Sequence, residues 1–186
     1  ATAAIGFLLS LYLQYIKALT PQQAGMVLIA QPAMQAIFSP LAGRLSDRIE
    51  ARIVASAGMS LTVIGLILLT LLNAATPLPL IIASLMFLGL GFALFSSPNT
   101  SAIMGAVEKR FYGVASATQG TMRLVGQMFS LGVVMLIITL ILGRIQITPE
   151  YYPLFLRSAH TSFIVFAVLC TIGVFASLAR GRVRAA

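Results

Sequence analysis

The sequence predicts an all-α membrane protein, a single bundle of six transmembrane helices, and three observations carry that prediction. Hydrophobic residues make up 59 % of the 186-residue chain and charged residues only 9 %, against roughly 25 % charged in soluble domains. The apolar residues fall into runs of about 20, the length an α-helix needs to cross about 30 Å of hydrocarbon. The breaks between runs hold proline and nearly all the charge.

In chain order the predicted helices cover 1–16, 22–43, 53–73, 79–103, 113–143 and 159–179. The first run, "ATAAIGFLLSLYLQYI", has no basic leading region and no A-x-A-like site, so it does not read as a signal peptide. It rises only about 24 Å, and we therefore expect Ala1 to lie inside a longer polypeptide. Pro21 in "KALTPQ" suits a helix start, "NAATPLP" holds two prolines, and "ITPEYYP" places an aromatic pair where a headgroup interface would be. No stretch reads as a linker or low-complexity tract, so residues 1–186 form one domain.

Lysine and arginine on alternate breaks set the expected orientation. Arg44, Arg48, Arg52, Lys109, Arg110, Arg180, Arg182 and Arg184 fall on one side, and Lys17, Arg144 and Arg157 on the other. The richer side is expected to be cytoplasmic, which puts both ends of the segment in the cytoplasm of a plasma-membrane protein. The net charge of +8 thus reads as topology and contact with the lipid bilayer, not as nucleic-acid binding. An odd number of helices in each half permits a 3+3 inverted repeat. Cys170, the one cysteine, sits in an apolar run and reads as a small lipid-facing residue.

Polar residues divide the helices. The third and sixth are nearly pure hydrocarbon and can face lipid on most sides. In the second, Gln31, Gln35 and Ser39 share one stripe at i, i+4 and i+8; in the fifth, Gln119, Arg123 and Gln127 do the same. Amides and a guanidinium in hydrocarbon need partners or water, so both stripes are expected to point into the bundle or a wet cavity. Interhelical hydrogen bonding satisfies the glutamines equally well. Arg123 lies ten residues after Gly113, about 15 Å along the helix, near mid-bilayer if the span starts at Gly113; a later entry of this long helix would let Arg123 snorkel to the cytoplasmic surface instead. The fourth helix carries Gly89, Gly91 and Pro98, suited to a gating kink or to close packing, and Asn99, whose amide can meet carbonyls freed by the proline. His160 opens the sixth helix at the interface.

Five of the 16 charged residues crowd into 44–52: Arg44, Asp47, Arg48, Glu50 and Arg52. Asp47 and Glu50, three apart, have the form of a capping box for the third helix, and the arginines suit a cytoplasmic turn. No catalytic or metal-binding motif stands anywhere in the chain: H-E-x-x-H, G-x-S-x-G, a phosphate loop and a Cys/His cluster are all missing. The sequence therefore argues against an enzyme and implies neither metal nor cofactor.

The loop "GRLSDRIEAR" resembles the signature G-x-x-x-D-[RK]-x-G-[RK]-[RK] of the major facilitator superfamily, matching at Gly43, Asp47, Arg48 and Arg52 and departing at Glu50 and Ala51. Such departures suit the degraded second copy found in the carboxyl-terminal six-helix half. "LYLQYIKALTPQQAG" and "EKRFYGVASATQGTMRLVGQ" are similar to the fourteen-helix drug:proton antiporters of that superfamily, although Tyr112 interrupts the second and Gln127 replaces a usual glycine.

The resemblance implies one half of a major facilitator fold, with the first, second, fourth and fifth helices lining a central cavity. Gln31, Gln35, Asn99, Gln119, Arg123 and Gln127 are then the substrate-cavity candidates. Gly43, Arg44, Asp47, Arg48 and Arg52 would form a conformational latch. The implied partners are an amino-terminal transmembrane half, a small-molecule substrate and protons, and the implied activity is secondary active export by alternating access. The four acidic residues, Asp47, Glu50, Glu108 and Glu150, all fall in breaks, so a proton-coupling carboxylate is expected in the other half. The competing readings are a non-transporting sensor, anchor or assembly module of a larger protein, and a half-transporter that dimerises.

Overall fold

The computed structural model describes residues 2–46, 48–143 and 147–179, and within them all regular structure is helical. Helix α1 (Thr2–Leu11) runs into a π-helical turn (Tyr12–Ile16); α2 (Pro21–Leu28) and α3 (Ala30–Ser46) form one span broken only at Ile29. Then come α4 (Ala51–Thr70), α5 (Leu78–Gly105), α6 (Tyr112–Ile141) and α7 (Tyr152–Ala179). Five of these units are long and apolar enough to cross a bilayer, and Thr2–Ile16 is a shorter apolar helix. The six expected helices are all present.

Local chemistry explains most boundaries. At α2, the Thr20 hydroxyl accepts from the Gln23 amide while the Gln23 side chain accepts from the Thr20 amide, and Pro21 fills the first position, where no N–H is needed. Two expectations change. Helix α4 begins at Ala51 with Glu50 at its N-cap, and the Glu50 side chain makes no capping hydrogen bond; Asp47, the other member of the expected capping box, lies outside the described residues. Glu50 Oε2 instead meets Arg52 Nε at 2.5 Å. The last helix begins at Tyr152, not 159, preceded by a 3-10 turn over Pro149–Tyr151. Its prolines act as initiators, because Pro149 and Pro153 both fall where a missing N–H breaks no helical bond. Arg157 therefore lies on the helix, and His160 two turns inside it.

Helix α5 is packed between α3 and α4, α4 between α5 and α7, and α7 and α1 both touch α6. Ile5, Leu8, Leu9, Tyr12 and Leu13 of the first helix are fully buried, together with Leu66, Leu69, Ile81, Leu85, Leu88, Phe155 and Phe163. The expectation that the third helix faces lipid on most sides does not hold for α4. In its most apolar window 44 % of residues are buried, against 11 % in each of the Pro21–Ser46 and Lys109–Ile141 spans. Small residues are the reason. A Cβ on Gly58 would lie 2.6 Å from the Phe95 amide nitrogen, and one on Gly91 would lie 2.8 Å from the Gly58 carbonyl oxygen, so α4 and α5 meet backbone to backbone. On its other side Ser56 donates to the Ser177 hydroxyl of α7 at 2.9 Å.

Candidate functional site

The polar stripes occupy the helices whose outer faces the bundle leaves uncovered. On α3, Gln31 is buried and Gln35 half-buried, while Pro32, Ala33, Ile37 and Leu41 are exposed. Gln31 turns toward α5: its carbonyl and the Met34 side chain sit where a Cβ on Gly89 would be. Ser39, the third member of the stripe, donates to the Gln35 carbonyl at 2.7 Å, a bond within its own helix. This stripe thus faces a helical neighbour at one end and opens toward the surface at the other.

On α6 the division is sharper. Its buried residues are Ser130 and Val134. Before them, from Tyr112 to Phe129, only Ala115, Gln119 and Gln127 are even partly buried. Gln119 reaches α5, donating from Nε2 to the Thr100 hydroxyl at 2.7 Å. Arg123, one turn on, is exposed, flanked by the strongly exposed Met122 and Leu124. The stripe is therefore not buried as a unit: Gln119 is bonded to a helix, Gln127 is half-covered, and Arg123 points away from the six-helix bundle. Met128, Phe129, Gly132, Val133 and Leu136 line a shallow groove of about 410 Å³ further along the same helix.

Between these helices stands α5. Its glycines serve packing, Gly89 against α3 and Gly91 against α4, and the helix stays continuous through Pro98. Asn99 donates from Nδ2 to the Phe95 carbonyl at 3.0 Å. The carbonyl that Pro98 deprives of its usual donor is that of Leu94, four residues back, so Asn99 serves the neighbouring oxygen and not the one freed. The structure brings α5 and α6 together at Thr100 and Gln119. Thr100 is the participant that sequence reasoning missed, since a lone threonine beside Asn99 carried no signal of its own.

Of the candidate latch, Asp47 lies outside the described residues. A Cβ at Gly43 would lie 3.1 Å from Ser97 Oγ of α5, so the end of α3 rests closely on that helix. Arg44 and Arg48 are exposed and Arg52 is paired with Glu50. Of the arginines and lysines used to predict orientation, Arg144, Arg180, Arg182 and Arg184 also lie outside the described residues. The other basic residues of the richer side stand at the end of the bundle where α3 stops and α6 starts. Glu50 and Glu108 lie in connections, and Glu150 in the 3-10 turn before α7.

An apolar bundle of six helices, five of them long enough to cross a bilayer, with polar residues on its least covered helices has the form of a membrane-embedded domain. Comparison with known proteins agrees: the Major Facilitator Superfamily family profile matches residues 1–185. The chain belongs to the major facilitator superfamily. It is 38 % identical over 120 residues to the riboflavin transporter RibZ of Clostridioides difficile, the aligned part being 64 % of this chain and 26 % of RibZ. It is 34 % identical over 119 residues to the uncharacterized transporter YebQ of Escherichia coli, covering 64 % of this chain and 26 % of YebQ. It is 33 % identical over 115 residues to the multidrug resistance protein Stp of Mycobacterium tuberculosis, covering 62 % of this chain and 21 % of Stp. The chain thus aligns with about a quarter of the length of these relatives.

Proposed function

We propose that this segment, as one domain over 1–186, is the carboxyl-terminal half of a secondary active transporter that exports a small molecule in exchange for protons. The observation that carries the reading is the uncovered α6: Arg123, exposed apolar side chains and the half-covered Gln119 and Gln127 share a helix that its own bundle leaves open. Such a surface in a membrane needs a facing protein or a wet cavity. A second six-helix half, rocking against this one, supplies both.

In this reading Gln31, Gln35, Asn99, Gln119, Arg123 and Gln127 border the cavity. Gly43, Arg44, Asp47, Arg48 and Arg52 latch the basic end of the bundle, which faces the cytoplasm of the plasma membrane together with both ends of the segment. Glu50 and Glu108 lie in connections, Glu150 in the 3-10 turn at the very start of the Pro149–Ser177 span, and Asp47 falls in a break between apolar runs of the sequence, so in this reading the carboxylate that couples proton movement belongs to the other half. RibZ is named a riboflavin transporter and Stp a multidrug resistance protein, which suggests riboflavin and drug compounds as the first to try.

The test is flux. Inverted membrane vesicles bearing the full-length protein, energised with an imposed proton gradient, should accumulate riboflavin or a fluorescent drug faster than control vesicles, and a protonophore should abolish the difference. Full-length protein that carries none of a broad panel, with or without the gradient, would instead support the non-transporting module.

A further inference from the structure

Three side chains from distant parts of the chain converge on three consecutive carbonyl oxygens just past the end of α4. His160 Nε2 lies 2.6 Å from the Leu72 carbonyl oxygen, Tyr12 donates from its hydroxyl to Asn73 at 2.7 Å, and Lys17 donates from Nζ to Ala74 at 2.7 Å. A carbonyl only accepts, so His160 carries its proton on Nε2. The preceding turn has local donors: the Thr70 hydroxyl bonds Ile67, the Leu71 amide bonds Leu68, and the Leu72 amide bonds Leu69. The loop closes on itself too, with Asn73 Oδ1 accepting from the Ala75 amide and Thr76 Oγ1 from the Asn73 amide. Helix ends leave carbonyls that must find donors. Here the Leu72 and Ala74 carbonyls take donors from α7 and from the end of the first helix, and the Asn73 carbonyl takes the Tyr12 hydroxyl beside the local Thr76 amide.

The end of the first helix is deformed where it makes these contacts. After α1 the helix widens into a π turn, with the Lys17 amide bonded five residues back to Tyr12 and the Leu19 amide six back to Leu13. Ala18 takes φ +52°, a left-handed backbone that an L-residue with a Cβ adopts at a cost. Tyr12 itself is only 1 % exposed. Lys17, the last residue before the left-handed Ala18, closes the π turn through its amide and reaches Ala74 through its side chain.

Resting on the transporter reading above, we propose that Tyr12, Lys17 and His160 are positioning residues that form a clasp. The clasp binds the first helix to α4 and α7 at the end opposite the 44–52 loop, so that all three move as one body during alternating access. Without it, the first helix shifts independently, and motion of the outer helices is no longer passed to the cavity.

The experiment uses the full-length protein with Cys170→Ala and spin labels at Gln22→Cys and Ala75→Cys, both exposed positions flanking the clasp. The parent should give one narrow inter-label distance, and Tyr12→Phe combined with His160→Leu should broaden or split it. Transport by that variant should show a maximum rate about tenfold lower with KM within about twofold of the parent, as for a lost coupling and not a lost contact with substrate. His160→Gln, which keeps an amide N–H donor, should restore both. Where the double variant does not fold, Lys17→Met at its half-exposed position carries the same measurement. A distance that stays narrow in the folded variants overturns the clasp, whatever the flux. A broadened distance in a protein that moves no compound leaves the clasp standing and overturns the transporter reading.

Discussion

Gly89 of α5 lies directly against the Gln31 carbonyl of α3, leaving no room for a side chain between the two helices. That contact seats α5 on α3. Gly89→Ala should force the helices apart and destabilise the bundle by about 1–3 kcal/mol, the usual cost of overpacking. Thermal unfolding in detergent should show the drop, while Gly120→Ala, on an open face of α6 with nothing near its Cβ position, should leave stability unchanged. Equal behaviour of the two variants would remove Gly89 as a packing point.

Much of this was legible in the sequence. The apolar runs set the number of helices because hydrocarbon length leaves little freedom, and Pro21 marked its own boundary. The start of α7 was misplaced by seven residues because "ITPEYYP" was read as a break; its prolines initiate a helix, and composition alone does not separate those roles. The shared spacing of Gln119, Arg123 and Gln127 on α6 was legible, but their orientation was not. Periodicity says which residues share a face, while packing decides whether Gln119 finds Thr100 and whether Arg123 finds anything. The carbonyl clasp was invisible, since Tyr12, Lys17 and His160 are separated by up to 148 positions and their partners are backbone atoms that carry no sequence signal.

The Gln119–Thr100 hydrogen bond is the polar tie between α6 and α5. Gln119→Leu and Thr100→Val should each weaken the bundle, and the double variant should lose less than the sum. A double-mutant cycle on thermal or denaturant unfolding should return a coupling of about 0.6 kcal/mol, the usual worth of such bonds within membranes. Strict additivity would show that the two side chains do not interact.

The orientation has a direct chemical test. In a Cys170→Ala background, a cysteine at exposed Lys109 should react with a membrane-impermeant maleimide only after cells are opened, whereas one at exposed Ala75 should react in intact cells. These expectations follow from the excess of arginine and lysine on the Lys109 side. The reverse labelling pattern would invert the topology and with it the side on which the 44–52 loop works.

Asp47 has the position in the loop signature at which a latch carboxylate is expected, with Arg48 and Arg52 beside it in sequence. Asp47→Asn removes the charge and preserves the shape. It should shift the ratio of inward-open to outward-open states by roughly fivefold or more, the lower end of a coupling of ~1–3 kcal/mol, and slow transport accordingly. Single-molecule distances across the two halves read the ratio. If both rate and state distribution match the parent, the loop sets topology and nothing else.

Arg123 is the one basic residue inside the Tyr112–Ile141 helix, and it stands exposed where its own bundle offers it no cover. A guanidinium facing a cavity favours anionic or polar groups and repels an unpaired cation, so its replacement should change what is carried more than how fast the protein cycles. Arg123→Gln should weaken transport of acidic or polar compounds and spare or improve that of cationic dyes, read as KM across a panel of both. Arg123→Lys keeps the charge without the planar fork, and it should fall between the two if bidentate contact matters. Snorkelling to the membrane surface makes the opposite prediction: every compound would be carried as before, and only stability or insertion would change. The panel therefore decides whether α6 meets the substrate or merely borders the path it takes.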